Sequence, residues 1–159
     1  MRKVNVKEVK TKREMDDFVR LTERLYADSP YYVPDMEADI RETFDPRKNA
    51  GLDFSDIQPF IAYDGNGNAV GRIVGIINHR ANEKWHTRNV RFGFIEFIDD
   101  KEVSAALLGA VERWGCERGM DCIQGPMGIF DFDKEGMLVE DFDRMGSMVP
   151  IYNPPYYPE

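Results

Sequence analysis

Several things are scarce in this 159-residue chain, and each scarcity removes a class of function. Basic residues are outnumbered, 21 Lys plus Arg against 29 Asp plus Glu, for a net charge of −8. That balance speaks against sequence-independent binding to nucleic acid or to anionic lipid. No apolar run is long enough to cross a bilayer, and the start Met1-Arg2-Lys3 leads into alternating polar residues rather than a signal peptide. A cytoplasmic location is expected. Only two cysteines, Cys116 and Cys122, and two histidines, His79 and His86, are present. They lack the tight pairing a zinc site needs, and the cysteines are expected to be buried free thiols in a reducing compartment. The acidic run from Asp131 to Glu140 does not fill the positions of a calcium loop. Phosphate-binding glycine loops of the P-loop and dinucleotide types are missing, as is a serine nucleophile elbow. The length fits one domain with a real core.

What is there reads as alternating strands and helices. Lys3 to Val9 alternates as a strand. Thr11 with Glu14 forms a capping box that opens a helix, which Ser29-Pro30 stops, and Asp35 is expected to cap a second helix running through Phe44. The loop Asn49 to Asp56 leads into Ile57–Tyr63, and the turn Asp64-Gly65-Asn66-Gly67-Asn68 folds it back on Ala69–Asn78 as a β-hairpin. Gly71 and Gly75 inside the returning strand predict a bulge or a close backbone approach. His79 to Asn89 reads as a polar connection, and Val90 to Ile98 as the next strand. The helix after it carries Val103, Leu107, Val111 and Trp114 on one stripe and ends at Gly119, before a short strand Cys122 to Gly125. Residues 129–159 hold no period and form an irregular tail.

This order of elements, carried by PFIAYDGNGNAVGRIVGIIN, RFGFIEFIDD and KEVSAALLGAVERWGCERGM before DCIQGP, resembles the GNAT superfamily of N-acyltransferases. The resemblance runs from about Val4 to Gly125. It implies an α/β fold with a mixed, mostly antiparallel sheet flanked by helices, in one domain that stops after its fifth strand. It further implies acetyl-CoA or another acyl-CoA as co-substrate, lying where the fourth and fifth strands splay apart, and a small-molecule amine as acceptor. The thioester carbonyl would meet the backbone N–H groups of Phe97 and Ile98. The pyrophosphate would meet the helix start at Lys101, Glu102, Val103 and Ser104. There the family's glycine loop is replaced by Asp99-Asp100-Lys101-Glu102-Val103-Ser104-Ala105, so an acidic helix cap that binds nothing is an equal reading.

Glu96, flanked by Phe94, Ile95, Phe97 and Ile98, is the candidate base: apolar neighbours would raise its pKa toward neutrality. If the strand alternates strictly, the same residue lies on a solvated face. Tyr152 is the candidate acid for the departing thiolate, with Tyr156 and Tyr157 beside it, and the same tyrosines also fit an aromatic packing patch. The leading expectation is an acyl-CoA-dependent N-acyltransferase. The alternative is a non-catalytic ligand- or protein-binding module, or a dimerisation unit. An uncovered edge at Cys122–Gly125 and an apolar tail that includes Met148 and Val149 favour a homodimer over a tail folded on its own sheet.

Overall fold

The computed structural model describes residues 4–147 and 151–158. Lys3 of the first expected strand, Met148 and Val149 of the tail, and Glu159 lie outside them. Five strands form one sheet in the order β1-β2-β3-β4-β5. They are β1 (Asn5–Glu8), β2 (Ser55–Tyr63), β3 (Ala69–Asn78), β4 (Asn89–Phe97) and β5 (Cys122–Gln124). All neighbours are antiparallel except β4 and β5, which pair in parallel only from Asn89–Cys122 to Arg91–Gln124. Beyond Arg91 that ladder ends. The expected α/β class and mixed, mostly antiparallel sheet are what the chain forms.

Pro59 sits inside β2 opposite Val74. Its carbonyl accepts from Val9 N–H on the β1 side, so the N–H it lacks also falls on that side, just past the Glu8–Phe60 pair that ends the β1 ladder.

The α5 helix (Lys101–Cys116) lies across β3 on one face of the sheet. Val103, Leu107, Val111 and Trp114 are each at most 5% exposed and pack on Phe60, Ile73 and Ile77. Gly71 and Gly75 make this approach possible. A Cβ on Gly71 would stand 2.8 Å from Leu107 and one on Gly75 3.0 Å from Trp114. Gly119, at φ +79°, closes the helix as its N–H reaches Cys116 O and that of Met120 reaches Gly115 O.

The opposite face is covered by α1 (Lys12–Val19), α2 (Leu21–Leu25) and α3 (Glu37–Thr43), with Phe18, Val19 and Ile40 against Ile61, Val74 and Ile76. The capping box at Thr11 and Glu14 is formed. The single helix expected from Thr11 to Ser29 is broken at Arg20, because the carbonyls of Phe18 and Val19 accept from the Arg72 guanidinium at 2.8 and 3.4 Å. Three further expectations are corrected. Met36, not Asp35, precedes α3, and Asp35 instead accepts from Lys134 at 2.6 Å. The polar connection after β3 folds as α4 (His79–Trp85), capped by the Asn78 side chain on the Ala81 N–H, which a scan for apolar periodicity overlooks because none of its residues is buried. Cys116 and Cys122 are both exposed, at a helix end and on the outer strand, where no core reaches them.

The tail crosses back over the sheet. Met127 N–H bonds Phe92 O, Ile129 is 4% exposed, and Asn153, 1% exposed, bridges both backbone groups of Leu138 at 2.8 and 3.1 Å. Among the described residues, no helix is long and apolar enough to cross a membrane.

Candidate active site

One backbone irregularity places the site. Val90 and Phe92 pack on the α5 side, so strict alternation would send Phe94 and Glu96 there as well. The β3–β4 register shifts between Arg72–Glu96 and Val74–Gly93, with one residue of β3 against two of β4, and Phe94 takes φ +51°. This bulge reverses the phase. Ile95 and Phe97 join the α5 side, while Phe94 joins Phe18 and Phe44 on the other. Glu96 goes with Phe94 and borders a cavity of about 560 Å³ between β4, the segment from Tyr31 to Thr43 and the tail.

Two phenols hold Glu96. Tyr26 donates to its Oε2, and Tyr157 donates to the same oxygen at 2.8 Å. Among the described residues nothing bonds Oε1. Burial raises the Glu96 pKa above the ordinary carboxylate range, and the nearby Arg72 charge and both phenols oppose that rise without cancelling it. Burial and the Glu96 charge also raise the pKa of Tyr26 and Tyr157, so both keep their protons and act as donors. Arg72 faces Glu96 across the two strands. It is 2% exposed, its guanidinium lies 5.0 Å from the Phe18 ring centre, and its Nε has no partner among the described residues. Arg72 stands in the quoted GRIVGII strand, and sequence reasoning passed over it. A lone arginine in an otherwise apolar strand was the available signal.

Tyr157 and Tyr156 reach the stretch of β4 that β5 leaves unpaired. Tyr157 stacks on Phe97 at 4.3 Å and accepts from its N–H at 2.9 Å; Tyr156 donates to Phe97 O at 2.6 Å, its own phenol pushed up to about 12 by burial. The Ile98 N–H bonds Val70 O at 3.0 Å. Tyr152 lies one ring farther from Glu96: it packs edge-on against Tyr26 at 5.2 Å, and its hydroxyl meets Ser29 Oγ at 2.8 Å.

The start of α5 is outside this cavity. Asp100 caps it, taking the Glu102 N–H at 2.9 Å. Val103 is buried in the core, Ser104 Oγ turns back to Lys101 O at 3.2 Å, and Lys101 and Glu102 are exposed. The structure therefore gathers Glu96 and Phe97 around Tyr157 and leaves Lys101, Glu102 and Ser104 at a separate helix end. Among the described residues no group of His, Cys, Asp or Glu could hold a metal ion.

No family model matches the chain. It is 32% identical over 146 residues to Protein YghO of Escherichia coli K12, covering 92% of this chain and 37% of that protein. It is 30% identical over 149 residues to the bacterial ceramide synthase of Caulobacter vibrioides, covering 93% of this chain and 38% of that one. The chain thus spans little more than a third of the length of these curated relatives. Among solved structures it resembles AAC(6')-Iy in complex with the bisubstrate analog CoA-S-monomethyl-acetylneamine, with a TM-score of 0.52 and 17% identity, over 79% of this chain and 80% of that one. It also resembles an acetyltransferase of the GNAT family from Staphylococcus aureus Mu50, with a TM-score of 0.53 and 13% identity, over 80% and 75% of the two chains. The fold is that of the GNAT acyl-CoA N-acyltransferases.

Proposed function

We propose that this domain transfers an acyl group from acetyl-CoA or another acyl-CoA to an amine. The observation that carries the reading is Glu96: a carboxylate with a raised pKa, one oxygen held by two phenols and the other left for a proton donor, at the wall of a cavity. A carboxylate in that state is suited to take a proton from an amine as it attacks a thioester. In this scheme the amine nitrogen bonds the carbonyl carbon, the carbon–sulfur bond breaks, Glu96 takes the amine proton, and the thiolate receives one from Tyr152. Of the two backbone N–H groups expected to meet the thioester oxygen, that of Phe97 is the proposed donor, in exchange for the Tyr157 hydroxyl, while that of Ile98 is taken by Val70 O. The α5 start at Lys101, Glu102, Val103 and Ser104 is the proposed seat of the pyrophosphate. CoA-bound and GNAT-named structural neighbours, together with a ceramide synthase among the relatives, support acyl transfer as the reaction class. The two exposed free thiols fit a cytoplasmic location. The short outer strand β5 fits a homodimer edge, which light scattering behind a sizing column tests by a mass of one or two chains.

Release of free CoA thiol, followed with a panel of acyl-CoAs and primary amines, tests the reading. Amine-dependent release supports it. No release above hydrolysis with any pair, in protein that binds acyl-CoA by calorimetry, leaves the second reading, a non-catalytic binding module. One observation favours that second reading: the Asp100 carboxylate already occupies the Glu102 N–H where a phosphate would sit.

A further inference from the structure

The cavity is far larger than an acetyl group needs, and its lining is uneven. Glu96 and Arg72 are part of it. Val33, Met36, Ile40, Met127, Met137 and Leu138, from two separate stretches of chain, give the lining its apolar part, beside charged residues that include Asp35, Asp39, Lys134 and Arg144. Methionine is unbranched and adaptable, and a wall rich in it conforms to flexible aliphatic groups better than to rigid planar ones. The apolar character continues to the surface. Met36 is 59% exposed, Met145 67% and Phe132 100%, and all three border the cavity. Large apolar side chains are normally scattered singly on a surface, and three of them on the lining of one cavity suit a binding site. The volume, about 560 Å³, falls in the range of sites that enclose a whole small molecule.

We infer that the cavity takes an unbranched hydrocarbon chain, with the reacting amide-forming end at Glu96 and the chain running along the methionine-lined wall toward Met36, Phe132 and Met145. The inference rests on the acyl-transfer reading for its polar end and on the cavity alone for its chain. Two substrates could bring the chain: a long-chain acyl-CoA, or an amine with a long alkyl tail. Their shared chemistry is a single aliphatic chain adjoining the bond that is made.

The test has a binding arm that needs no turnover. Straight-chain alcohols from butanol to dodecanol displace a fluorescent apolar probe, 1-anilinonaphthalene-8-sulfonate, from the full chain. Each added methylene should tighten binding about fourfold until the cavity is filled. Val33→Trp, which fills the wall, should cut the longest alcohol that still gains; if that variant does not fold, Met137→Trp serves instead. Binding that is flat with chain length, or unchanged in the tryptophan variant, overturns the inference. In the turnover arm, acyl-CoAs from two to sixteen carbons are paired with a short amine, and alkylamines of the same lengths with acetyl-CoA. A length preference in the first series assigns the chain to the acyl group, and one in the second assigns it to the acceptor. Turnover with no length preference in either series overturns the inference while the acyl-transfer reading stands. Chain-length-dependent alcohol binding with no turnover leaves the chain site standing and removes the acyl-transfer reading.

Discussion

The hydroxyl of Tyr157 stands between Glu96 and the backbone of Phe97, donating to the carboxylate at 2.8 Å and accepting from the Phe97 N–H at 2.9 Å. A single phenol thus connects the candidate base to the N–H group proposed for the thioester oxygen. Tyr157→Phe keeps the stacked ring and removes both bonds. The Glu96 carboxylate loses a donor that lowers its pKa, so the rise of activity with pH should move to higher pH. The freed Phe97 N–H should lower the KM for acyl-CoA, because the thioester no longer competes with the phenol. Stability should fall by about 1 kcal/mol. Rate profiles across pH, with denaturant melts beside them, check all three.

Glu96→Gln should lower kcat/KM by about 10²- to 10⁴-fold, the usual contribution of a general base. The limb of activity that rises with pH should vanish with it. Its effect on stability has a definite sign. Glu96 has a raised pKa in the fold, so the unfolded chain releases that proton first as pH rises above about 4.3. Wild type therefore loses stability from there up through the folded pKa, and each unit of separation is worth about 1.4 kcal/mol. The glutamine variant lacks this loss. Thermal melts should show the two proteins close at pH 4 and the variant gaining on wild type toward pH 8. A gap that shrinks with rising pH would reverse the assignment of a raised pKa.

The legible part of this molecule is the part built by short-range patterns. The Thr11–Glu14 capping box, the Asp64–Asn68 turn and the α5 stripe each declare themselves within a few residues, and the element order follows from them. Glu96 was legible as a residue in apolar company but not as to its face. Strict alternation suggested a solvated face, and in register with Val90 and Phe92 it would mean the α5 side; the bulge at Phe94, marked in the sequence only by Gly93 before it, turns Glu96 toward the cavity instead. Arg72 and Tyr26 were missed for a different reason. Their place depends on partners 53 to 70 residues away, Phe18, Val19 and Glu96, and sequence spacing carries no trace of such contacts.

Arg72 serves two purposes that separate by substitution. Its charge lowers the Glu96 pKa, and its guanidinium holds the Phe18 and Val19 carbonyls where α1 breaks. Arg72→Met should remove both, moving the activity limb to higher pH and destabilising the fold by about 2 to 4 kcal/mol, since two buried carbonyls lose their donor. Arg72→Lys keeps the charge without the planar fork. It should leave the pH limb near its wild-type position and still lower the melting temperature. Matching pH profiles for the two variants would mean that the charge does not act on Glu96.

The start of α5 offers the sharpest contrast between catalysis and capping. Asp100 accepts from Glu102 N–H through its side chain and from Val103 and Ser104 through its carbonyl. Asp100→Ala should cost about 1 kcal/mol as the cap is lost. Changing Asp99 to Gly and Asp100 to Arg together frees the same Glu102 N–H but also removes two negative charges and brings a positive one to the helix end, where anions bind. If acyl-CoA pyrophosphate sits there, calorimetry should record tighter acyl-CoA binding in the double variant, and tighter binding of 3'-dephospho-CoA as well, since the pyrophosphate remains in that analogue. Pantetheine, which lacks the pyrophosphate, should bind both proteins alike. Equal affinity of wild type and double variant for acyl-CoA would leave Asp100 as a cap alone and move the pyrophosphate site elsewhere on the domain.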